Sequence, residues 1–415
     1  MYLMPTHIPV YVDGARRFID DSWYADLVLA RDFLGPHFGP VVVVGPSLPV
    51  SESAAQKLHE VRDDDDIVAH PSIDARTRVR DWPAAARRWR ADLEALLPRA
   101  HVVHASVDDP FRPMQLAGLR LGMRAGKPTA LIGFDMDVWA VLHAQFHELG
   151  PKQRVLSVAR SMGMDLWMRW ACGRASVAML KEGAVWERYK SYAANGHAFC
   201  HTMHTEAQLV GDDEFEARLR GTLDGRRIKL GYAGRFVRRK GLLDALEIVA
   251  RAVGRGNDVE YELVGWGEQQ DELVARVKAL GLGDRVSFTE PIAYGTALHE
   301  KLRTFDALLF TPTEEDTPRM LYDAYAAGLP VVGTKIPFLR MRQSSDQAAL
   351  LFGVSDVEAG VQALETLHRD RGAFADLARQ SRAAGQRHTV ESWYGRRVEW
   401  TLEAVERFHR SGPRR

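Results

Sequence analysis

Residues 310–333 read FTPTEEDTPRMLYDAYAAGLPVVG, and their order decides what the rest of the chain has to be. A strand ends at Phe310, a polar loop follows, a short helix runs to Gly328, and Val331-Val332 opens a buried strand. Thr317 is placed to cap the helix, and Pro318 suits its first turn, where no backbone N–H is needed. Gly328 and Pro330 end it. A helix N-terminus aimed out of a strand–loop–helix unit offers free N–H groups and a positive dipole end to an anion. Glu315 in the loop and Asp323 on the helix flank that end. Carboxylates repel phosphate but accept hydrogen bonds from sugar hydroxyls, so the pairing predicts a pocket for a nucleotide sugar.

Seven residues separate Glu315 from Asp323, and AYAAGLPVV follows. This register resembles the donor motif of the retaining GT-B glycosyltransferases of family 4, in which Glu, seven residues and a second Glu precede Ala-x-Ala-x-Gly-x-Pro-Val-Val. Asp323 is one methylene shorter than the Glu of that pattern. Upstream, IKLGYAGRFVRRKG at 228–241 resembles the family's Gly-Arg … Lys-Gly signature. The resemblance implies that Arg235 and Lys240, on the loop after Gly234, grip the donor diphosphate. Cations there stabilise the charge that grows on the leaving group without a metal. The plainer alternative is a solvated basic loop, since Arg238 and Arg239 lie in the same run.

Between these motifs, YELVGWGEQQDEL resembles the family's strand and helix around Leu-Val-Gly-x-Gly, which puts Gly265 beside the nucleoside. The loop at Pro291 and Ile292 is implied to read the base through its backbone. On the same pattern Glu315 holds sugar hydroxyls, Asp323 holds the ribose, and the backbone of Asp316, Thr317 and Pro318 approaches sugar or phosphate. Arg319 admits two readings: a surface pair with Asp323 four residues on, or a contact to a phosphate or an anionic acceptor.

Toward the N-terminus, strands and helices alternate. HIPVYVD, PVVVVG, AHVVHA, PTALIGFD and SVAML read as strands, and SWYADLVLARDFLG, AAQKLHEV, WPAAARRWRADLEALLP and PMQLAGLRLGMRAG as helices. The acid run at 63–66 reads as a solvated loop. Alternation of this kind predicts a parallel, doubly wound sheet with its site at the carboxyl ends of the strands. The resemblance places Gly14 near the diphosphate, although an ordinary turn explains it as well. AHVVHASVDDPFRP resembles the family's Asp-Val-Val-His-Ala-His strand end, which implies that His104, Asp108 and Asp109 lie on the acceptor side, although His104 is equally readable as a core histidine. In the family the strand after Lys-Pro often ends in Val-His; here Phe134 stands at the His position, with Asp135 and Asp137 just beyond. Asp135 is the best candidate acid of this half, and Asp137 an acceptor-side candidate.

Residues 156–173 admit a basic membrane-surface helix, but Met and Trp at helical spacing favour a partly buried helix. His197, Cys200, His201 and His204 suggest a metal site superficially. A strand would put 197 and 201 on one face and 200 and 204 on the other, which disfavours a metal there, and the resemblance to GT-B enzymes implies no bound metal or cofactor.

The 415 residues allow two domains of ordinary size. Lys plus Arg and Asp plus Glu both count 55, so nothing pushes the chain toward nucleic acid. Two cysteines and no signal-like start predict a cytoplasmic protein, and abundant Ala and Arg fit a bacterial one. The expected architecture is α/β of GT-B type: two Rossmann-like doubly wound domains facing a central cleft. Residues 1–222 form the acceptor side, 223–388 the donor domain, and 389–415 terminal helices crossing back, with Trp393, Tyr394 and Trp400 as anchors. The partners implied are a UDP-, GDP- or ADP-sugar and an acceptor glycan, lipid-linked glycan or small molecule. A GT-B phosphorylase, a nucleotide-sugar epimerase and a silent nucleotide-sugar-binding protein are the alternatives.

Overall fold

The computed structural model describes the chain apart from residues 54–56, 63–64, 134–137, 140–141, 143–148, 315–317 and 412–415. It divides into two compact units, Met1–Cys200 with Tyr394–Arg415, and His201–Trp393.

The first unit carries β1 (Tyr2–Pro5), β2 (Val10–Asp13), β3 (Arg16–Asp20), β4 (Val41–Pro49), β5 (Leu58–Val61), β6 (Ile67–Asp74), β7 (Val102–Ala105), β8 (Thr129–Gly133), β9 (Val177–Lys181) and β10 (Gly196–Phe199). A parallel core runs β6-β4-β1-β7-β8-β9-β10. The outer part of β4 also pairs with β2, which turns antiparallel into β3 and then β5. From β1 the chain winds outward through β4 to β6, then returns and winds the other way from β7. Strand order therefore reverses between β1 and β7.

Two local readings are corrected here, and one strand is added. The first strand is β1, and only the end of HIPVYVD forms a strand, as β2. AAQKLHEV is not a helix in its described part: Leu58–Val61 pairs with β3, held by Arg16 donating to both oxygens of Glu60 at 2.7 Å. IVAHPSID forms β6 despite Pro71, because its described pairing is to β4 alone and an edge strand tolerates a missing N–H.

Helix Pro151–Arg174 buries Ser161, Asp165, Met168, Ala171 and Cys172 and leads into β9. Trp167 and Trp170 pack half-buried against that core, as expected of a partly buried helix. Its outer side exposes Val155, Leu156, Met162 and Leu166. No helix among the described residues is long and apolar enough to cross a membrane.

The second unit carries β11 (Ile228–Ala233), β12 (Val259–Val264), β13 (Val286–Thr289), β14 (Ala307–Phe310), β15 (Val331–Thr334) and β16 (Ala349–Phe352). All are parallel, in the order β13-β12-β11-β14-β15-β16, so the reversal falls between β11 and β14. This unit begins before residue 223 because helix Asp212–Leu223 packs Phe215 and Leu219 against Val210, Ala375 and Ala378. The C-terminal segment is one helix, Val390–Ser411, rather than several. Trp393 Nε1 donates to His388 Nδ1 at 3.1 Å within the second unit. In the first unit Trp400 stacks on His197 with ring centres 4.5 Å apart.

Candidate functional site

Ligands of open parallel sheets bind beyond the carboxyl ends of the strands, where the order reverses. In the second unit that position is the loop from Gly234 to Gly241, between the ends of β11 and β14. Two backbone contacts fix it. A Cβ on Gly265 would lie 2.0 Å from the Gly234 oxygen, and one on Gly241 would lie 1.9 Å from the Thr311 oxygen. Both have positive φ, +140° and +63°, so only glycine fits the space and the backbone together. Thr311 Oγ1 donates to the Gly241 oxygen at 2.9 Å, and Thr313 N to the Arg239 oxygen at 3.0 Å. Lys240 is thereby held on the loop with only 9% of its surface exposed, its Nζ 5.5 Å from the Phe310 ring centre. Arg235 is exposed, and its backbone oxygen accepts the Tyr232 hydroxyl at 3.0 Å.

The helix of the opening stretch is Met320–Ala326, so it starts later than Pro318, with Arg319 just outside its first turn. The sequence places Pro318 inside that turn; the structure leaves its carbonyl as the acceptor of Leu321 N at 3.2 Å. Gly328 ends it as expected: Gly328 N donates to the Tyr325 oxygen and Leu329 N to the Ala324 oxygen, both at 2.9 Å. Arg218 Nη2 also donates to the Gly328 carbonyl at 3.2 Å, a cation at the negative end of the dipole.

Asp323 is 4% exposed. Its Oδ1 accepts the Tyr294 hydroxyl at 3.1 Å and lies 3.8 Å from His299 Nε2. Burial pushes its carboxyl up to about 7, against the smaller opposing effects of Tyr294 and then Arg319. Burial lowers His299 to about 4, so the imidazole is neutral and no ion pair forms. Arg319 thus acts on Asp323 through space, and the described hydrogen bond is Tyr294's. Tyr294 and His299 were missed by the sequence reading. Tyr294 stands two residues beyond Ile292, in the loop assigned to the base, and that spacing was the available signal.

Gly234, Arg235, Lys240, Gly265, Pro291, Ile292, Pro318 and Arg319 therefore lie on loops beyond the carboxyl ends of one sheet's strands, with Asp323 on the helix that follows β14, all in the second unit. Glu315, Asp316 and Thr317 belong to the same stretch but lie outside the described residues, as do Phe134, Asp135 and Asp137.

The remaining candidates lie in the first unit. Gly14 forms the β2–β3 hairpin turn, its oxygen accepting Arg17 Nη1 at 2.9 Å. His104 is a core residue: its Nδ1 is bonded to the Tyr2 hydroxyl at 2.7 Å, and burial, then Arg397, lowers it to about 3. Asp108 caps helix Met114–Arg124, accepting Gln115 N at 2.9 Å and Leu116 N at 3.4 Å. The His and Cys cluster is dispersed. Cys200 Sγ donates to Glu182 at 2.7 Å, and His204 is bonded to Thr202 and to the Gly385 oxygen. Among the described residues no three His, Cys, Asp or Glu side chains group as a metal site.

Comparison with known proteins defines the fold class first. A glycosyltransferase from Rickettsia africae superposes with a TM-score of 0.64 over 98% of both chains at 10% identity. Anabaena HepE in complex with UDP gives 0.65 at 15% identity, over 97% of this chain and 99% of that one. The architecture is that of the GT-B glycosyltransferases. Residues 227–370, a little over a third of the chain, match the family described as Glycosyl transferases group 1. The lipopolysaccharide core biosynthesis glycosyltransferase LpsE of Rhizobium meliloti is 28% identical over 145 residues, 35% of this chain and 41% of that protein. The 2-deoxystreptamine glucosyltransferase of Streptomyces kanamyceticus is 30% identical over 102 residues, 25% of this chain and 26% of that protein. The chain thus spans less than half the length of these curated relatives.

Proposed function

We propose that this protein transfers a glycosyl group from a nucleotide sugar to an acceptor hydroxyl, with retention at the anomeric carbon, as a family 4 enzyme. The observation that carries the reading is Lys240, buried on a loop that glycine contacts lock at the β11–β14 reversal, one loop with Arg235. Two cations so placed suit a diphosphate leaving group, and a preorganised site spends nothing on reorganisation as charge develops. In this reading Glu315 holds the sugar hydroxyls, Asp323 the ribose, and the loop around Pro291 and Ile292 the base. The departing phosphate takes the acceptor's proton, and no metal or other cofactor is required. Binding of UDP by HepE supports a uridine nucleotide as the first donor to try, with GDP and ADP sugars beside it. The acceptor is a glycan, a lipid-linked glycan or a small natural product.

The test is a thermal-shift screen with UDP, GDP, ADP and their sugar conjugates, followed by proton NMR of any product's anomeric signal. A nucleotide at ~100 times its dissociation constant should stabilise the fold by ~2.7 kcal/mol. Release of free nucleotide with a retained anomer supports transfer. Sugar phosphate as product points to a phosphorylase, a sugar isomerised while attached to an epimerase, and binding without turnover to a silent protein.

A further inference from the structure

The loops after β1 and β7, at the first unit's own reversal point, help to enclose a cavity of about 530 Å³. Pro9, Leu48 and Met164 give it an apolar side; Asp109, Arg112 and Arg160 line it with charge. Among the described residues those charges do not cancel. Asp109 accepts Arg160 Nη2 at 3.1 Å and Phe111 N at 3.0 Å, and Arg112 Nε lies 4.0 Å away. Arg112 is oriented by a backbone carbonyl instead, its Nη1 donating to the Thr77 oxygen at 3.0 Å. Its Nε is buried without a hydrogen-bond partner among the described residues. Asp108, the other acid in the wall, is turned to the helix N–H groups, and burial raises its carboxyl to about 7. Among the described residues, two guanidinium groups therefore share the one carboxylate of Asp109. Gln115 Oε1 accepts Ser106 N at 3.0 Å, and its Nε2 donates to His7 Nδ1 at 2.7 Å, which fixes His7 in the cavity wall.

We propose that this cavity receives the acceptor, and that the acceptor is a sugar-like molecule bearing a carboxylate or phosphate held by Arg112 and Arg160. The planar guanidinium fork matches both oxyanions, and such charge-assisted bonds are about twice as strong as neutral ones. The apolar side suits the C–H face of a sugar ring. An ammonium-bearing acceptor is disfavoured, because it would meet the guanidinium groups. The assignment rests on the glycosyl-transfer reading above.

Saturation-transfer NMR on the full chain tests it, with methyl glucuronide, glucose 6-phosphate, methyl glucoside and glucosamine as probes. The anionic sugars should bind ~10-fold or more tightly than the neutral and ammonium sugars, the scale of one such bond. Preference between glucuronide and sugar phosphate identifies the group. Arg160→Met should remove the preference and Arg160→Lys restore part of it, with far-UV circular dichroism and the nucleotide-induced thermal shift unchanged. Equal binding of all four, preference for glucosamine, binding of none, or indifference to Arg160→Met overturns the proposal. If nucleotide binds and is released while the anion preference is missing, the acceptor assignment alone has failed. If no nucleotide binds or is released, the glycosyl-transfer reading has failed.

Discussion

Each sheet reverses its strand order once, at β1/β7 and at β11/β14, and the two places are built from different material. At β11/β14 backbone lies on backbone: Gly265 against Gly234, and Gly241 against Thr311. At β1/β7 side chains from several loops line an open cavity. Backbone approach tolerates one residue type at each contact, so it leaves a readable trace of glycines and cations at set spacing. A side-chain wall can be made in many ways, and charge balance inside it depends on which partners meet. The same topology thus yields a legible loop at β11/β14 and an illegible counterpart at β1/β7.

The largest expected effect would break the donor half of this comparison. Lys240→Ala should lower turnover by ~10²-fold or more with the fold intact, the scale of losing one preorganised electrostatic contact. Steady-state nucleotide release measures it, and near-wild-type turnover would refute the role given to the loop. Next, the glycine argument can be sharpened by a pair of substitutions. Gly241→Ala meets both a left-handed φ and the Thr311 oxygen, and should cost about 2–3 kcal/mol or more in urea denaturation. Gly14→Ala has a φ of +57° but open space around its Cβ, and should cost only about 1 kcal/mol. Equal losses at the two sites would mean that close approach contributes nothing.

Asp323 gives a pH test. Its carboxyl titrates near 7 in the folded chain against an ordinary 3.8, so the native state binds its proton more tightly than the unfolded state does. The stability this contributes is complete below pH 4 and is lost as pH rises through 7. Asp323→Asn should therefore gain stability relative to wild type as pH rises from 4 to 7, by roughly 1 kcal/mol or more per pH unit, so that its advantage is larger at pH 8 than at pH 5. Melting curves at both values check the sign, and a gain at pH 5 alone would contradict it. The smallest effect concerns metal. Because Arg235 and Lys240 are assigned the leaving-group charge, EDTA should leave nucleotide release within about two-fold of untreated enzyme, whereas metal-dependent Lewis-acid catalysis would lose several kcal/mol of stabilisation.

Much of the second unit was readable in advance. The strand–loop–helix order around residues 310–333, the Gly328 stop and the loop from Gly234 to Gly241 follow local rules of capping, turns and buried runs. The failures are equally local in cause. Leu58–Val61 carries a helix-compatible composition, but the edge of the sheet recruited it as a strand through Arg16 and Glu60. The first domain was expected to run to residue 222, whereas helix Asp212–Leu223 packs Phe215 and Leu219 against Ala375 and Ala378 in the second unit. Tyr294 lies 29 residues from Asp323, and its hydroxyl reaches that carboxylate only because β13 and the helix share one edge of the sheet.

The sequence by itself determined the alternating α/β architecture, the parallel sheets, and which glycines and cations mark the loop at the β11/β14 reversal. Periodicity, caps and backbone constraints act within a few residues. Tertiary structure decided where the units divide, that His104 is a core residue bonded to Tyr2, that Asp323 is buried and raised, and that Arg112 and Arg160 both come to Asp109. Those outcomes depend on burial and on partners distant in the chain, and burial is a property of the packed whole rather than of any stretch of it.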